Sequence, residues 1–192
     1  MSARIRLGIS ALILIVAAPL SASAQGGVTV VGGGMAQDCY EAVEDGRIQL
    51  TRAITICDIA LDTEQLRPKD RAATFTNRGI LYMRQGDNTR AIADYRKSID
   101  LMPNLKEAKV NLGAALYNLK RYPEAMTALN EGIDVANPDA QAVGHYNRAL
   151  THEKLGDVQS AYADFRRALE IKPEFSQAAQ QLARFTVVRA GS

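Results

Sequence analysis

Two histidines, His145 and His152, lie seven residues apart, a spacing that returns both to one face of an α-helix. With Glu153 beside them they offer the beginning of a metal or general-base site. A zinc site needs further ligands, and this face supplies none, so packed, hydrogen-bonded histidines are the expected outcome. No Ser–His–Asp, paired-glutamate or Cys–His spacing stands out elsewhere in the chain. No catalytic residue, metal ligand or cofactor is therefore assigned, and the chain reads as a non-enzyme. Cys39 and Cys57 are the other reactive pair. They lack the CxxC spacing of a redox pair and have no neighbouring histidine to complete a metal site. A structural disulfide is predicted, contributing about 3 kcal/mol by restraining the unfolded chain. The Gly-rich stretch QGGVTVVGGGMA, residues 25–36, invites comparison with a phosphate-cradling loop, but no Lys-Ser/Thr follows its glycines. It is expected to be a flexible leader, with Val28 to Val31 able to add as a strand to a partner.

The ends of the chain and its charge say where such residues would work. Arg4 and Arg6 precede an apolar run from Leu7 to Leu20, and Ala22-Ser23-Ala24 gives the small-x-small pattern of a cleavable export signal. Residues 1–24 are predicted to be a bacterial-type secretory signal cleaved between Ala24 and Gln25. The apolar run is short for a bilayer span of about 20 residues, so no stable membrane span is expected after cleavage. The mature chain is placed in the periplasm or outside the cell, where a disulfide persists. Formal net charge is +2; removing Arg4 and Arg6 leaves 21 basic against 21 acidic residues. A neutral chain has no long-range attraction for phosphate backbones, so nucleic acid is not an expected partner.

The elements that position these residues emerge from self-comparison. Segments starting at Ala72, Lys106 and Ala142 align without gaps over 32 residues each. The eighth residue is small in all three: Gly79, Gly113, Ala149. The twentieth is Ala91, Ala125, Ala161. Position 24 is large: Tyr95, Leu129, Phe165. Position 27 is small again: Ser98, Gly132, Ala168. Gly86-Asp87, Lys120-Arg121 and Gly156-Asp157 mark the mid-repeat turns, and Pro103 and Pro173 end the first and third segments. This pattern resembles the tetratricopeptide repeat family. The resemblance implies an all-α, right-handed solenoid of antiparallel helix pairs, in which small residues let two helices approach and large ones fill the space between pairs. The expected layout is a degenerate capping pair at 37–68, repeats at 72–105, 106–139 and 142–175, and a capping helix at 176–190. Asp38 is expected to cap a first helix beginning at Cys39.

The resemblance also implies that the first helix of each repeat lines a concave groove. The candidate groove residues are Asn77, Met83, Arg84, Asn111, Tyr117, Asn118, Tyr146, Asn147 and Lys154. Thr76 and Val110 occupy the same inward register as Tyr146. Asn77, Asn111 and Asn147 recur at one repeat position, and a carboxamide can pair with both the N–H and the C=O of an extended peptide. A carboxylate-clamp subfamily would want Lys at Thr76, Asn at Ile80, Asn at Asn111, Lys at Val143 and Arg at Asn147; only Asn111 fits. The expectation is a non-catalytic scaffold for a protein or peptide partner in the bacterial envelope. Two rival readings are a homo-oligomer stacked through the terminal helix and a metal or enzymatic site at His145 and His152.

Overall fold

The computed structural model describes residues 4–7, 27–30 and 33–188. Nine helices among these residues form four consecutive antiparallel pairs and a short terminal helix. The pairs are α1 (Met35–Asp45) with α2 (Leu50–Thr63), α3 (Pro68–Arg84) with α4 (Asn88–Leu101), α5 (Lys106–Asn118) with α6 (Tyr122–Gly132), and α7 (Pro138–Lys154) with α8 (Val158–Ile171); α9 is Ser176–Leu182. The fold is an all-α solenoid. Each pair packs on the next, and one continuous apolar core runs from Cys39 to Phe185.

The small and large repeat positions do what contact physics requires. A Cβ on Gly79 would stand 2.5 Å from the Tyr95 ring, and one on Gly113 would stand 2.5 Å from Cγ of Leu129. In these two repeats the helices therefore approach so closely that the eighth position has no room for a methyl, whereas the third repeat accommodates Ala149 opposite Phe165. Between the paired helices the chain turns through a left-handed residue: φ is 88° at Gly86, 60° at Lys120 and 85° at Gly156. Asp87 and Asp157 then cap the following helices, accepting from the amides of Arg90 at 2.9 Å and Ser160 at 3.0 Å. In the middle repeat Arg121 occupies the capping place and makes no such bond.

The capping pair differs in detail from expectation. α1 begins at Met35 and not at Cys39, so Asp38 lies inside its first turn. Its free amides are met by Glu64 from the α2–α3 connection, whose carboxylate accepts from Met35 N at 2.6 Å and Ala36 N at 3.2 Å. Gly34, at φ 98°, leaves room for that carboxylate. Cys39 and Cys57 are joined, with Cα atoms 4.9 Å apart, and both are fully buried between α1 and α2. Pro68 is a first-turn residue of α3, where a missing N–H costs nothing, and Pro138 does the same in α7.

The C-terminal end corrects the expected helix over 176–190. α9 stops at Leu182, and Phe185–Val188 is a strand, β2, paired antiparallel with β1 (Arg4–Leu7) in the register Arg4↔Val188 to Leu7↔Phe185. Thr186, Val187 and Val188 are β-branched, a preference for extended backbone that ends the helix before them. The expected cleavage point at Ala24 and Gln25 lies outside the described residues. Among the described residues no helix is long and apolar enough to cross a membrane.

Candidate functional site

The first helices of successive pairs touch directly, α1 with α3, α3 with α5 and α5 with α7, while the second helices of successive pairs barely meet. An array whose first helices are crowded together must curve with those helices on the inside. That inner face carries the three asparagines, one per first helix: Asn77 on α3, Asn111 on α5 and Asn147 on α7. All three side chains are buried.

Asn77 is engaged. Its Nδ2 donates to the carbonyl of Val28 at 3.0 Å, and its Oδ1 accepts from the amide of the same residue at 2.6 Å. One carboxamide thus holds both backbone polar atoms of an extended residue. Gly27 donates its amide to Glu44 Oε1 on α1. Val30 is 5% exposed in an apolar cluster with Ala36, Ala60 and Ala73, flanked by Met35, Tyr40 and Leu66. The leader expected to be flexible is therefore seated, over residues 27–30, between α1 and α3. Asn111 contrasts with it. It is 0% exposed, and neither Nδ2 nor Oδ1 has a hydrogen-bond partner. A buried carboxamide with both ends open costs free energy until something supplies a donor and an acceptor.

The other expected groove residues divide. Arg84 donates to the Val43 carbonyl at 2.8 Å and so ties α3 to the last turns of α1; burial lowers its pKa. Tyr117 lies 5.5 Å from the Tyr122 ring, and burial pushes its hydroxyl up to about 12. Asn118 donates to Asn88 Oδ1 at 2.9 Å. Met83 is half-buried and Lys154 exposed. Tyr146 is a correction. Its ring packs on Phe165 and Phe175, at 5.7 and 5.0 Å, so it belongs to the core between α7, α8 and α9. Thr76 shares a 2.8 Å hydrogen bond with Ser98 of α4, and Val110 lies against Gly132 and Gly144. The fifth repeat position thus faces the neighbouring helices, and the sixth faces the groove. Beyond the asparagines, Glu153 meets Arg184 at 2.7 Å; burial raises the Glu153 pKa even with Arg184 beside it.

The histidines are held by a carboxylate. His145 Nδ1 lies 2.9 Å from Asp164 Oδ1, and Arg148 donates to both Asp164 oxygens from Nε at 2.7 Å and Nη2 at 2.8 Å. His152 stands 3.5 Å from Asp157 and 3.8 Å from Asp164. Burial alone would raise the Asp164 pKa, but the Arg148 and His145 hydrogen bonds outweigh it and hold the carboxyl below its ordinary value. Among the described residues no group of three His, Cys, Asp or Glu side chains is placed to hold a metal ion.

Sequence reasoning missed Tyr40, Glu44 and Glu64. The signal that could have found the docked leader is the alternation Val28–Thr29–Val30, which reads as a half-buried strand.

Two tetratricopeptide repeat profiles match the chain, over residues 82–145 and 142–175. DnaJ homolog subfamily C member 7 of Mus musculus is 30% identical over 131 residues, covering 65% of this chain and 26% of the relative. The chain spans about a quarter or less of the length of the DnaJ homolog subfamily C member 7 relatives that it matches. Among solved structures, pilF of Pseudomonas aeruginosa superposes with a TM-score of 0.67 at 21% identity, covering 78% of this chain and 64% of that one. The first repeat domain of Spaghetti (RPAP3), solved with an HSP90 peptide, superposes with a TM-score of 0.56 at 23% identity, covering 60% of this chain and 90% of that one. At these identities the structural likeness speaks for the fold alone.

Proposed function

The chain belongs to the tetratricopeptide repeat family, and from that premise we propose that it is a non-catalytic scaffold of the bacterial envelope that binds extended peptide segments along its inner face. The repeats make a protein–protein interaction scaffold. A related repeat domain was solved holding an HSP90 peptide, which supports a peptide as the ligand class here. The envelope assignment rests on the basic, apolar and small-x-small pattern of residues 1–24 and on the two cysteines. Processing at Ala24 would remove β1 and leave β2 with a free edge.

The observation that carries the reading is Asn111. Its carboxamide is buried and unpartnered one repeat from Asn77, which already grips an extended backbone with the same two atoms. Asn111 is covered by the surrounding helices, so a peptide amide and carbonyl would satisfy it as Val28 satisfies Asn77 only once the side chains over it move aside. The inner face offers carboxamides, aromatic rings and few free charges, so recognition is of backbone more than of side chains.

The test is panning of a random eight-residue peptide library on the chain. Enriched peptides are expected to lose about tenfold or more in affinity, or roughly 1.4 kcal/mol, on Asn111→Ala, with an unchanged helical circular dichroism spectrum. Equal binding to a folded Asn111→Ala variant would overturn the groove assignment. N-terminal sequencing of the envelope fraction checks location: a mature chain starting at Gln25 is expected, and a cytoplasmic chain starting at Met1 or Ser2 would end that part of the reading.

A further inference from the structure

We propose that the space between α1 and α3 is a glycine-selective strand site, that residues 27–30 are its built-in occupant, and that a partner enters it by replacing them with a segment of the form Gly–Val–x–Val. The inference deepens the inner-groove reading and rests on it.

The selectivity follows from three contacts. A Cβ on Gly27 would lie 2.9 Å from Tyr40 Cδ2 and 3.2 Å from Asn77 Oδ1, so a side chain at this place must shift the ring or break the Asn77 bond. Asn77 and Glu44 fix the backbone at Gly27 and Val28 and read no side chain. Val28 and Val30 then pack in the apolar cluster while Thr29 is exposed, the alternation of an extended strand. The site therefore asks for glycine first, β-branched residues second and fourth, and tolerates any third residue.

The chain itself contains a second, similar segment. Phe185-Thr186-Val187-Val188 repeats the Thr-Val-Val of Thr29-Val30-Val31, but Arg184 stands where Gly27 does. The Tyr40 contact excludes it. A second copy therefore cannot use its C-terminal strand here, and the occupant must supply glycine.

A tethered segment acts at an effective concentration on the order of millimolar. Against an intrinsic affinity of tens of micromolar, it would weaken a competing segment by about tenfold to a hundredfold. The leader is thus an internal competitor covering the Asn77 rung, while Asn111 stays outside its reach.

The experiment uses the whole chain and a fluorescein-labelled peptide of sequence QGGVTVVG, followed by anisotropy. Gly27→Val is expected to evict the leader and to raise affinity for the peptide at least tenfold over the unsubstituted chain. Val30→Asp, which would bury a charge among alanines, is a second evicting variant expected to do the same. Adding Asn77→Ala to either should abolish the gain, and a peptide with valine in place of its third residue should bind none of these proteins. Equal binding to the unsubstituted and both evicted chains overturns the inference, as does undiminished binding after Asn77→Ala. Peptides selected on the Asn111 rung serve as the control. If they still bind while QGGVTVVG fails, the leader inference falls and the groove reading stands.

Discussion

Arg78 holds Asp94 through two hydrogen bonds, from Nε at 2.7 Å and Nη2 at 2.8 Å, and Arg148 holds Asp164 through the same two atoms at the same distances. Both pairs join positions 7 and 23 of a repeat, clasping its first helix to its second. In the middle repeat those positions are Leu112 and Ala128, which with Leu116 and Ile99 line a cleft of about 300 Å³ that Arg96, Lys109, Glu124 and Glu131 also border.

The middle repeat, which carries neither partner, shows that the clasp can be dispensed with as a pair; removing one half instead strands a buried charge. Asp94→Ala leaves the largely buried Arg78 with only the exposed Asp58, and a loss of about 3 kcal/mol is expected. The double change Arg78→Leu with Asp94→Ala copies the middle repeat and is expected to cost less than Asp94→Ala alone. Urea unfolding of both variants decides it; a double variant weaker than either single one refutes the coupling.

Asp164 gives the clasp a pH dependence. Its folded pKa is depressed, so its contribution is present above the unfolded value of about 3.9 and is lost as pH falls through the folded value. Asp164→Asn is expected to lower stability near neutral pH and to flatten the decline below about pH 4. Melting temperature against pH measures both.

Lys120 adopts the left-handed conformation that Gly86 and Gly156 adopt in the flanking repeats. For a residue with a Cβ this costs roughly 1 kcal/mol. Lys120→Gly should return most of that as stability, read as a raised denaturant midpoint with an unchanged slope.

Gly79→Ala drives a methyl into the Tyr95 ring and should cost about 1–3 kcal/mol. Tyr95→Phe should be neutral or stabilising, because the Tyr95 hydroxyl is buried and has no partner. The third repeat already pairs Ala149 with Phe165, so the two changes together should be milder than their sum. Differential scanning calorimetry of the set tests this.

The repeat frame was legible because its small and large residues are defined by one local contact each, as Gly79 with Tyr95 and Gly113 with Leu129. The pairing of Cys39 with Cys57 was legible from their spacing and number. What could not be read depends on residues far apart in sequence. Glu64 caps a helix that starts 29 residues earlier, and Asn77 holds a residue 49 earlier. Tyr146 looked like a groove residue because its register allows it; the Phe165 and Phe175 rings draw it inward instead. Asn111 was legible as a residue but not as an unsatisfied one.

The single crosslink of the array sits in its first helix pair. In a structure where each pair is steadied mainly by its neighbours, a bond at one end breaks the equivalence of the two ends. Fraying is cheaper where the chain is held by non-covalent contacts alone, through the seven-residue α9 and the β1–β2 pair, than where α1 is covalently tethered to α2, so opening should advance from the C-terminal repeat toward the N-terminal one. Amide hydrogen exchange would record that direction as a gradient of lifetimes, longest in α2 and shortest in α8. Reduction of the disulfide would level it.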